Sequence, residues 1–247
     1  MKKRVAICMI GAVSKSGEAF ININELYRKG EYVDYEKCKR SIDKYIINRN
    51  LDYDFDFFCH SWNIDLNNDL DKLYKPRLIH CEDNSKYNDE ILNKIKNGGI
   101  FSAVSQALSL KKSIELKEQY EKENNINYDI IISYRYDILL WKEIKLENYD
   151  LNDNKIYVNG GNNNTNGDFH FIMNNFNSKL FKELYNSTSK NNIPKQHYWI
   201  KNYIVTHLHK KLLCDNIKPG KHQEVIRKIK EFSIDKKYLT QSLYDSI

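Results

Sequence analysis

The sequence predicts an α/β protein, a mainly parallel sheet with helices on both faces and a helical portion at the C-terminal end. Three observations predict it. Residues 4–10 (RVAICMI) and 129–133 (DIIIS) are short, apolar, β-branched runs, the pattern of strands buried on both faces. Residues 34–50 and 101–123 carry apolar side chains at helical spacing. Strand-like runs at 55–59 and 77–81 fall between those helices, and such alternation favours crossovers between parallel strands.

In chain order, the first strand at 4–10 ends at Gly11, which opens the loop GAVSKSGEAF. A Gly/Ser/Lys loop after a strand can cradle phosphate with backbone N–H groups and Lys15. Neither GxxxxGK[ST] nor GxGxxG is present, so this is neither a P-loop nor a dinucleotide fingerprint. The helix at 34–50 takes Asp34 as its N-cap and places Tyr35, Cys38, Ile42, Tyr45 and Ile46 on one stripe. The strand at 55–59 runs into His60, Ser61 and Trp62. Trp62 could stack there on a base or sugar ring and His60 could hydrogen-bond to it; the competing reading of His60 is a satisfied core histidine. The helix at 101–123 turns Phe101, Val104, Leu108 and Ile114 inward and its Lys and Glu residues outward.

After Trp141 the rhythm changes. Residues 155–158 read as a strand, and GGNNNTNG as a loop. Residues 168–173 (DFHFIM) alternate like a strand with one exposed face, which puts Asp168 and His170 on the same side. Residues 177–187 and 194–213 read as helices. The last thirty residues are basic, lack periodicity and are expected to be a helical appendage. With no internal repeat and no long linker, the 247 residues are expected to form one domain.

Composition excludes some classes. The net charge of +6 comes from scattered residues, and no zinc-finger spacing, RNA-binding signature or basic-aromatic array is present, so a nucleic-acid partner is not expected. The five cysteines are far apart and lack a CxxC. Several lie in apolar runs, as buried reduced thiols do. No signal-peptide pattern and no apolar run of membrane-spanning length is found, which leads to the expectation of a cytosolic protein.

The chemistry concentrates around Arg135 and Asp137. A buried strand ending in a cation and a carboxylate puts both at the carboxyl edge of the sheet, where open α/β sheets bind ligands. One reading is a structural ion pair; the other is a diphosphate or metal site. Asp137 is the metal-ligand candidate, since Mg or Mn takes few protein carboxylates and completes its shell with water and phosphates. Arg135 could hold diphosphate through its planar fork, and His222 could complete the metal shell. His207 and His209 are two apart, unlike an i,i+4 ligand pair, and no HExxH occurs. Asp168 or His170, beside the Asn/Gly-rich loop, could act as a base. The absence of GxSxG speaks against a serine nucleophile.

The ordered series RVAICMIG (4–11), DFFCHSW (56–62), KPR (75–77), SQALSLKKSIELKEQY (105–120) and YD…R-x-D (128–139) resembles a family of glycosyltransferases. These are the GT-A-like enzymes of bacterial and viral surface-polysaccharide biosynthesis, capsule or lipooligosaccharide. The resemblance covers roughly residues 4–175. It implies a GT-A-like, Rossmann-like fold, with 1–140 as a nucleotide-sugar-binding half, 141–215 as an acceptor-side half and 216–247 as a C-terminal appendage. Arg135-Tyr136-Asp137 stands where GT-A enzymes carry Asp-x-Asp, which binds the nucleotide-sugar diphosphate through Mn or Mg. Here the first acidic position is Arg135, so the arginine could neutralise the diphosphate directly. The resemblance further implies that the loop at 11–15 faces the nucleotide and that Asp168 lies on the acceptor side as base. The implied partners are a nucleotide-sugar donor and a glycan or glycolipid acceptor, with peripheral docking to an anionic membrane face. The alternative is a nucleotide- or glycan-binding protein of the same fold without turnover.

Overall fold

The computed structural model describes residues 2–13, 20–22, 25–28, 33–95, 100–159, 167–189, 196–215, 217, 223–225 and 241–247. Strand β1 (Lys3–Ile10) turns Ala6, Cys8 and Ile10 into one core and Val5, Ile7 and Met9 into another. A period of two with both faces apolar makes it a central strand. An antiparallel pair follows, β2 (Phe20–Asn22) and β3 (Glu25–Arg28). Helix α1 (Tyr35–Tyr45) starts at its cap, where the Asp34 carboxylate accepts the Lys37 N–H at 2.9 Å. A 3-10 turn at Ile47–Arg49 replaces the predicted last turn, with the Asn50 side chain donating to the carbonyls of Ile46 and Ile144.

Next come β4 (Tyr53–Ser61), α2 (Asn67–Tyr74), β5 (Leu78–Cys81) and α3 (Asn88–Ile95). The long α4 (Phe101–Asn124) leads into β6 (Ile130–Arg135), so Arg135 is the last residue of the strand. Short β7 (Ile138–Leu140) and β8 (Lys155–Val158) precede β9 (His170–Asn174). The chain continues through α5 (Asn175–Phe181), α6 (Gln196–Asn202), β10 (Lys211–Cys214), β11 (Gln223–Val225) and α7 (Gln241–Asp245).

The main sheet has seven strands in the order β10-β8-β9-β6-β1-β4-β5. Every strand of it runs the same way except β9, which is antiparallel to β6 and β8. Residues of α3, α4, α5 and α6 join the core on one face, and residues of α1 and α2 the core on the other. The chain thus has the expected α/β architecture, with the carboxyl ends of β1, β4 and β6 side by side.

Three expectations are corrected. The Lys and Glu residues of α4 do not all face outward: Lys117 is fully buried, and its Nζ lies 3.0 Å from Glu121 and donates to Asn175. Glu121 in turn accepts the Tyr128 N–H and an Asn175 amide N–H, so the pair is satisfied where it is. Residues 168–173 have no exposed face. The strand begins at His170; β9 lies between β8 and β6, Phe171 and Met173 pack into one core and Ile172 into the other, and His170 mimics a polar outer position while being buried. Nor do residues 194–213 form one helix. After α6 a π-helical turn spans Tyr203–His207, His209 takes a positive φ of 53°, and Lys211–Cys214 pairs with β8.

The described part of the C-terminal portion holds both a strand and a helix. β11 pairs antiparallel with β7, directly after Asp137 in sequence. Beside α7, Leu243 and Ile247 pack against the cluster of Cys38 and Leu139, and Lys44 donates to the Ser246 carbonyl at 2.9 Å.

Candidate functional site

At the carboxyl edge of β1, Gly11 has φ of +104°, and open space surrounds the position a Cβ would take. Backbone conformation therefore calls for glycine there. Its N–H donates to Ser109 Oγ on α4 at 2.8 Å, and its carbonyl accepts the Trp62 N–H at 3.3 Å. The turn is tied to the end of β4 and to the interior of α4.

His60 lies inside that knot, fully buried. Ser109 Oγ accepts from Gly11, so its own hydrogen can go to His60 Nδ1 at 2.8 Å. That leaves His60 Nε2–H to donate to Glu82 at 3.0 Å. Glu82, itself buried, also accepts from Tyr87 (3.0 Å) and pairs with Lys112 (2.9 Å) and Lys86, and His80 Nε2 lies 3.2 Å away. Both ring nitrogens of His60 are thus committed within the protein, the satisfied-core arrangement, and neither points to a base or sugar. Trp62 is half-buried, edge-on to His60 with centroids 4.5 Å apart and tilted on Tyr87 at 5.7 Å.

Burial pushes the His60 imidazole down from 6.5 to about 4, against the pull of Glu82. Burial raises the Glu82 carboxyl, but the hydrogen bonds from His60, Lys86 and Lys112 outweigh it and hold it well below the carboxylate range. Because the folded pKa of His60 is depressed, its contribution to stability is present above 6.5 and is lost as pH falls toward 4. Urea unfolding at pH 7 and pH 4.5 should show a fall of up to about 3 kcal/mol, and His60→Gln should flatten most of that slope.

The second group is centred on Arg135, at the end of β6. Its Nε and Nη2 donate to the two carboxylate oxygens of Asp137 at 2.9 and 2.8 Å, and Nη1 lies 3.4 Å from Asp168 Oδ2. All three residues are buried, at 8%, 7% and 6% exposure, which is where an unpaired charge would be most costly. The guanidinium also sits over the Phe169 ring at 5.4 Å. Burial lowers the Arg135 pKa, but Asp137 and Asp168 outweigh it and hold the guanidinium charged.

Asn159, after β8, shapes the segment that carries Asp168. Its carbonyl accepts the Gly167 N–H at 3.2 Å, and its side-chain oxygen accepts the N–H groups of Phe169 (2.9 Å) and His170 (3.4 Å). A Cβ on Gly167 would lie 1.7 Å from the Asn159 amide, so only glycine permits this approach. Gln106 on α4 holds the Asp168 carbonyl at 3.1 Å.

Asp168 and His170 were expected side by side, but the structure gives them different partners. Asp168 precedes the strand, so the two-residue alternation does not extend to it. Asp168 joins Arg135, whereas His170 Nε2 lies 2.7 Å from Asp215, and its ring stacks parallel to Tyr134 at 5.9 Å. Lys15 and His222 lie outside the described residues.

A divalent ion fits this donor set poorly. Both oxygens of Asp137 face the Arg135 fork, and Asp168 faces the same guanidinium, so a cation already fills the space between the carboxylates. Among the described residues no three His, Cys, Asp or Glu side chains come together as a metal-ligand group.

Sequence reasoning missed Ser109, Glu82, Asn159 and Asp215. A signal existed for the first: Ser105, Ser109 and Ser113 are spaced by four along α4 and all are buried, with Ser113 donating to the Phe58 carbonyl. The other three follow strands in loops and had no local signature.

No protein-family model matches the chain, and no curated protein matches its sequence. Among solved structures it aligns with that of a "putative nucleotide-diphospho-sugar transferase" from Desulfovibrio desulfuricans G20. Identity is 8%, 92% of this chain and 84% of that chain are covered, and the TM-score is 0.49. At that distance the site has to be read from its own geometry.

Proposed function

We propose that the protein is a glycosyltransferase moving a sugar from a nucleotide-sugar donor to a hydroxyl of a glycan or glycolipid acceptor. The observation that carries this reading is the buried Arg135–Asp137–Asp168 cluster at the carboxyl edge of parallel strands. Ligands of open α/β sheets bind at that edge. Of the five guanidinium N–H groups, three point to the carboxylates, and the remaining two suit diphosphate oxygens. Asp137 fixes the fork. Trp62, half-buried on the same edge, offers a face to a base or sugar ring. The roles of Gly11 and Lys15 toward the nucleotide rest on the resemblance of the sequence.

In this reading Asp168 is the base. It takes the acceptor hydroxyl's proton as that oxygen bonds to the anomeric carbon, and the bond from that carbon to the diphosphate oxygen breaks, the electron pair leaving with the diphosphate. Once protonated, Asp168 loses its charge attraction for Arg135, whose positive charge then falls more fully on the leaving group. His170 is a positioning residue, holding the Asp168 segment through Asp215 and Asn159. Cytosolic action on a surface-polysaccharide acceptor, with docking to an anionic membrane face by the net charge of +6, completes the proposal. No helix among the described residues is long and apolar enough to cross a membrane.

A second reading has its own support. Arg135, Asp137 and Asp168 satisfy one another without a ligand, as a binding module that performs no chemistry would allow. Thermal shift with UDP-, GDP- and CMP-sugars separates the two. One donor class at a hundredfold its Kd should add about 2.7 kcal/mol of stability. The shift should persist in a chelator, and nucleotide should be released in the presence of acceptor sugars. Asp168→Asn should keep the shift and lose release by at least tenfold. A shift with no release on any acceptor favours the binding module. A strict need for Mn or Mg would require ligands beyond the described residues, with His222 the first to test.

A further inference from the structure

At the end of the sheet formed by β10 and β8 the structure contains a cavity of about 270 Å³ that the transfer chemistry proposed for Arg135, Asp137 and Asp168 does not use. It is bounded by the segment after β7 and by the end of β10, with Lys142, Glu143, Lys145, Tyr149, Tyr157 and Asp215 in its wall. We propose that this cavity binds one neutral pyranose ring, the sugar unit of the acceptor; the word acceptor rests on the glycosyltransferase reading, whereas sugar binding does not.

Size argues first. The cavity falls just below the roughly 300–1,000 Å³ of clefts that take drug-sized ligands. A single sugar ring suits it, and a complete nucleotide-sugar does not. The wall chemistry argues next. Tyr149 and Tyr157 stand edge to face with centroids 5.0 Å apart, a rigid aromatic corner against which the C–H face of a pyranose can pack. Carboxylates and ammonium groups around that corner can accept from and donate to ring hydroxyls. Their charges balance: Lys142 and Lys145 against Glu143 and Asp215. Lys145 lies 3.5 Å from Glu143. A balanced wall gives no preference to an anionic sugar, so the class is neutral.

Position argues last. Asp215 Oδ2 accepts from Tyr149 OH at 3.2 Å and is 2.7 Å from His170 Nε2, so the cavity wall is bonded to the strand that follows Asp168. His170 is two residues beyond Asp168, and two residues of extended chain span at most about 7 Å. A sugar in the cavity therefore lies against the residue that holds the strand following Asp168, on the side of the sheet that carries β8 and β10 and away from Trp62 and Gly11.

Cys214 gives the test a handle, because its exposed thiol also lines this cavity while Cys8, Cys38 and Cys59 are buried. The rate of maleimide labelling at Cys214, read by peptide mass spectrometry on the full chain, should fall at least threefold in 100 mM of one among the methyl glucosides, galactosides, mannosides and N-acetylglucosaminides. Cys81 serves as the internal control and should be unaffected. Cys214→Trp, which fills the cavity from an exposed strand position, should abolish glycoside binding by saturation-transfer NMR while leaving the nucleotide-sugar thermal shift unchanged. Unprotected labelling by every neutral glycoside, retained NMR binding in Cys214→Trp, or protection by glucuronides alone would each overturn the proposal. Protection of Cys214 without any nucleotide-sugar shift would keep the cavity assignment and sink the transferase reading.

Discussion

Arg135→Met is expected to destabilise the protein by about 3–5 kcal/mol and to abolish donor binding. The reason is burial. Asp137 and Asp168 are 7% and 6% exposed, and removing the guanidinium leaves two carboxylates facing each other without the cation they share. A methionine replaces most of the packing volume, so the loss reports charge and not a cavity. The triple variant Arg135→Met/Asp137→Asn/Asp168→Asn removes the repulsion as well. It should recover most of the stability and none of the donor binding. Urea unfolding at pH 7 together with the nucleotide-sugar thermal shift reads both properties. If Arg135→Met unfolds within 1 kcal/mol of the parent while donor binding survives, the cluster is neither the electrostatic centre nor the diphosphate site.

Lys117→Met should cost a comparable amount, about 3–5 kcal/mol, with donor binding intact. Lys117 has no exposed surface, and its partner Glu121 is 7% exposed. Glu121 also holds the Tyr128 N–H at 2.9 Å and an Asn175 amide N–H at 2.7 Å, so it secures the entry to β6 and the start of α5. An uncompensated carboxylate at that junction is what the substitution would leave. The comparison lies on the same helix. Lys111 and Glu115 have the same spacing at 3.9 Å, but their side chains are 24% and 46% exposed. Lys111→Ala should therefore shift stability by no more than about 0.5 kcal/mol. Thermal denaturation of the two variants side by side checks the contrast, and equal small effects would mean that water reaches Lys117.

Part of the candidate site could be read in the letters of the sequence. Arg135 and Asp137 stood out because two charges follow an apolar run that has to be buried, a local conflict visible without coordinates. Trp62 and Gly11 were placed at strand ends by the same logic. The partners of these residues could not be read. Asp168 meets Arg135 across 33 residues, His60 meets Glu82 across 22, and His170 meets Asp215 across 45. No periodicity spans such separations.

By itself the sequence determined the elements whose signal is local: the doubly buried β1 and β6, the Asp34 cap of α1, the length of α4, and therefore the alternation that makes the sheet mainly parallel. Tertiary structure decided what depends on neighbours in space. It inserted β9 antiparallel between β8 and β6, turned the end of the 194–213 stretch into β10, and buried Lys117, His60 and His170. The physical reason is one of range. Backbone propensity and apolar spacing act within a few residues, whereas the satisfaction of a buried charge or imidazole is set by whichever strand or helix the topology brings beside it.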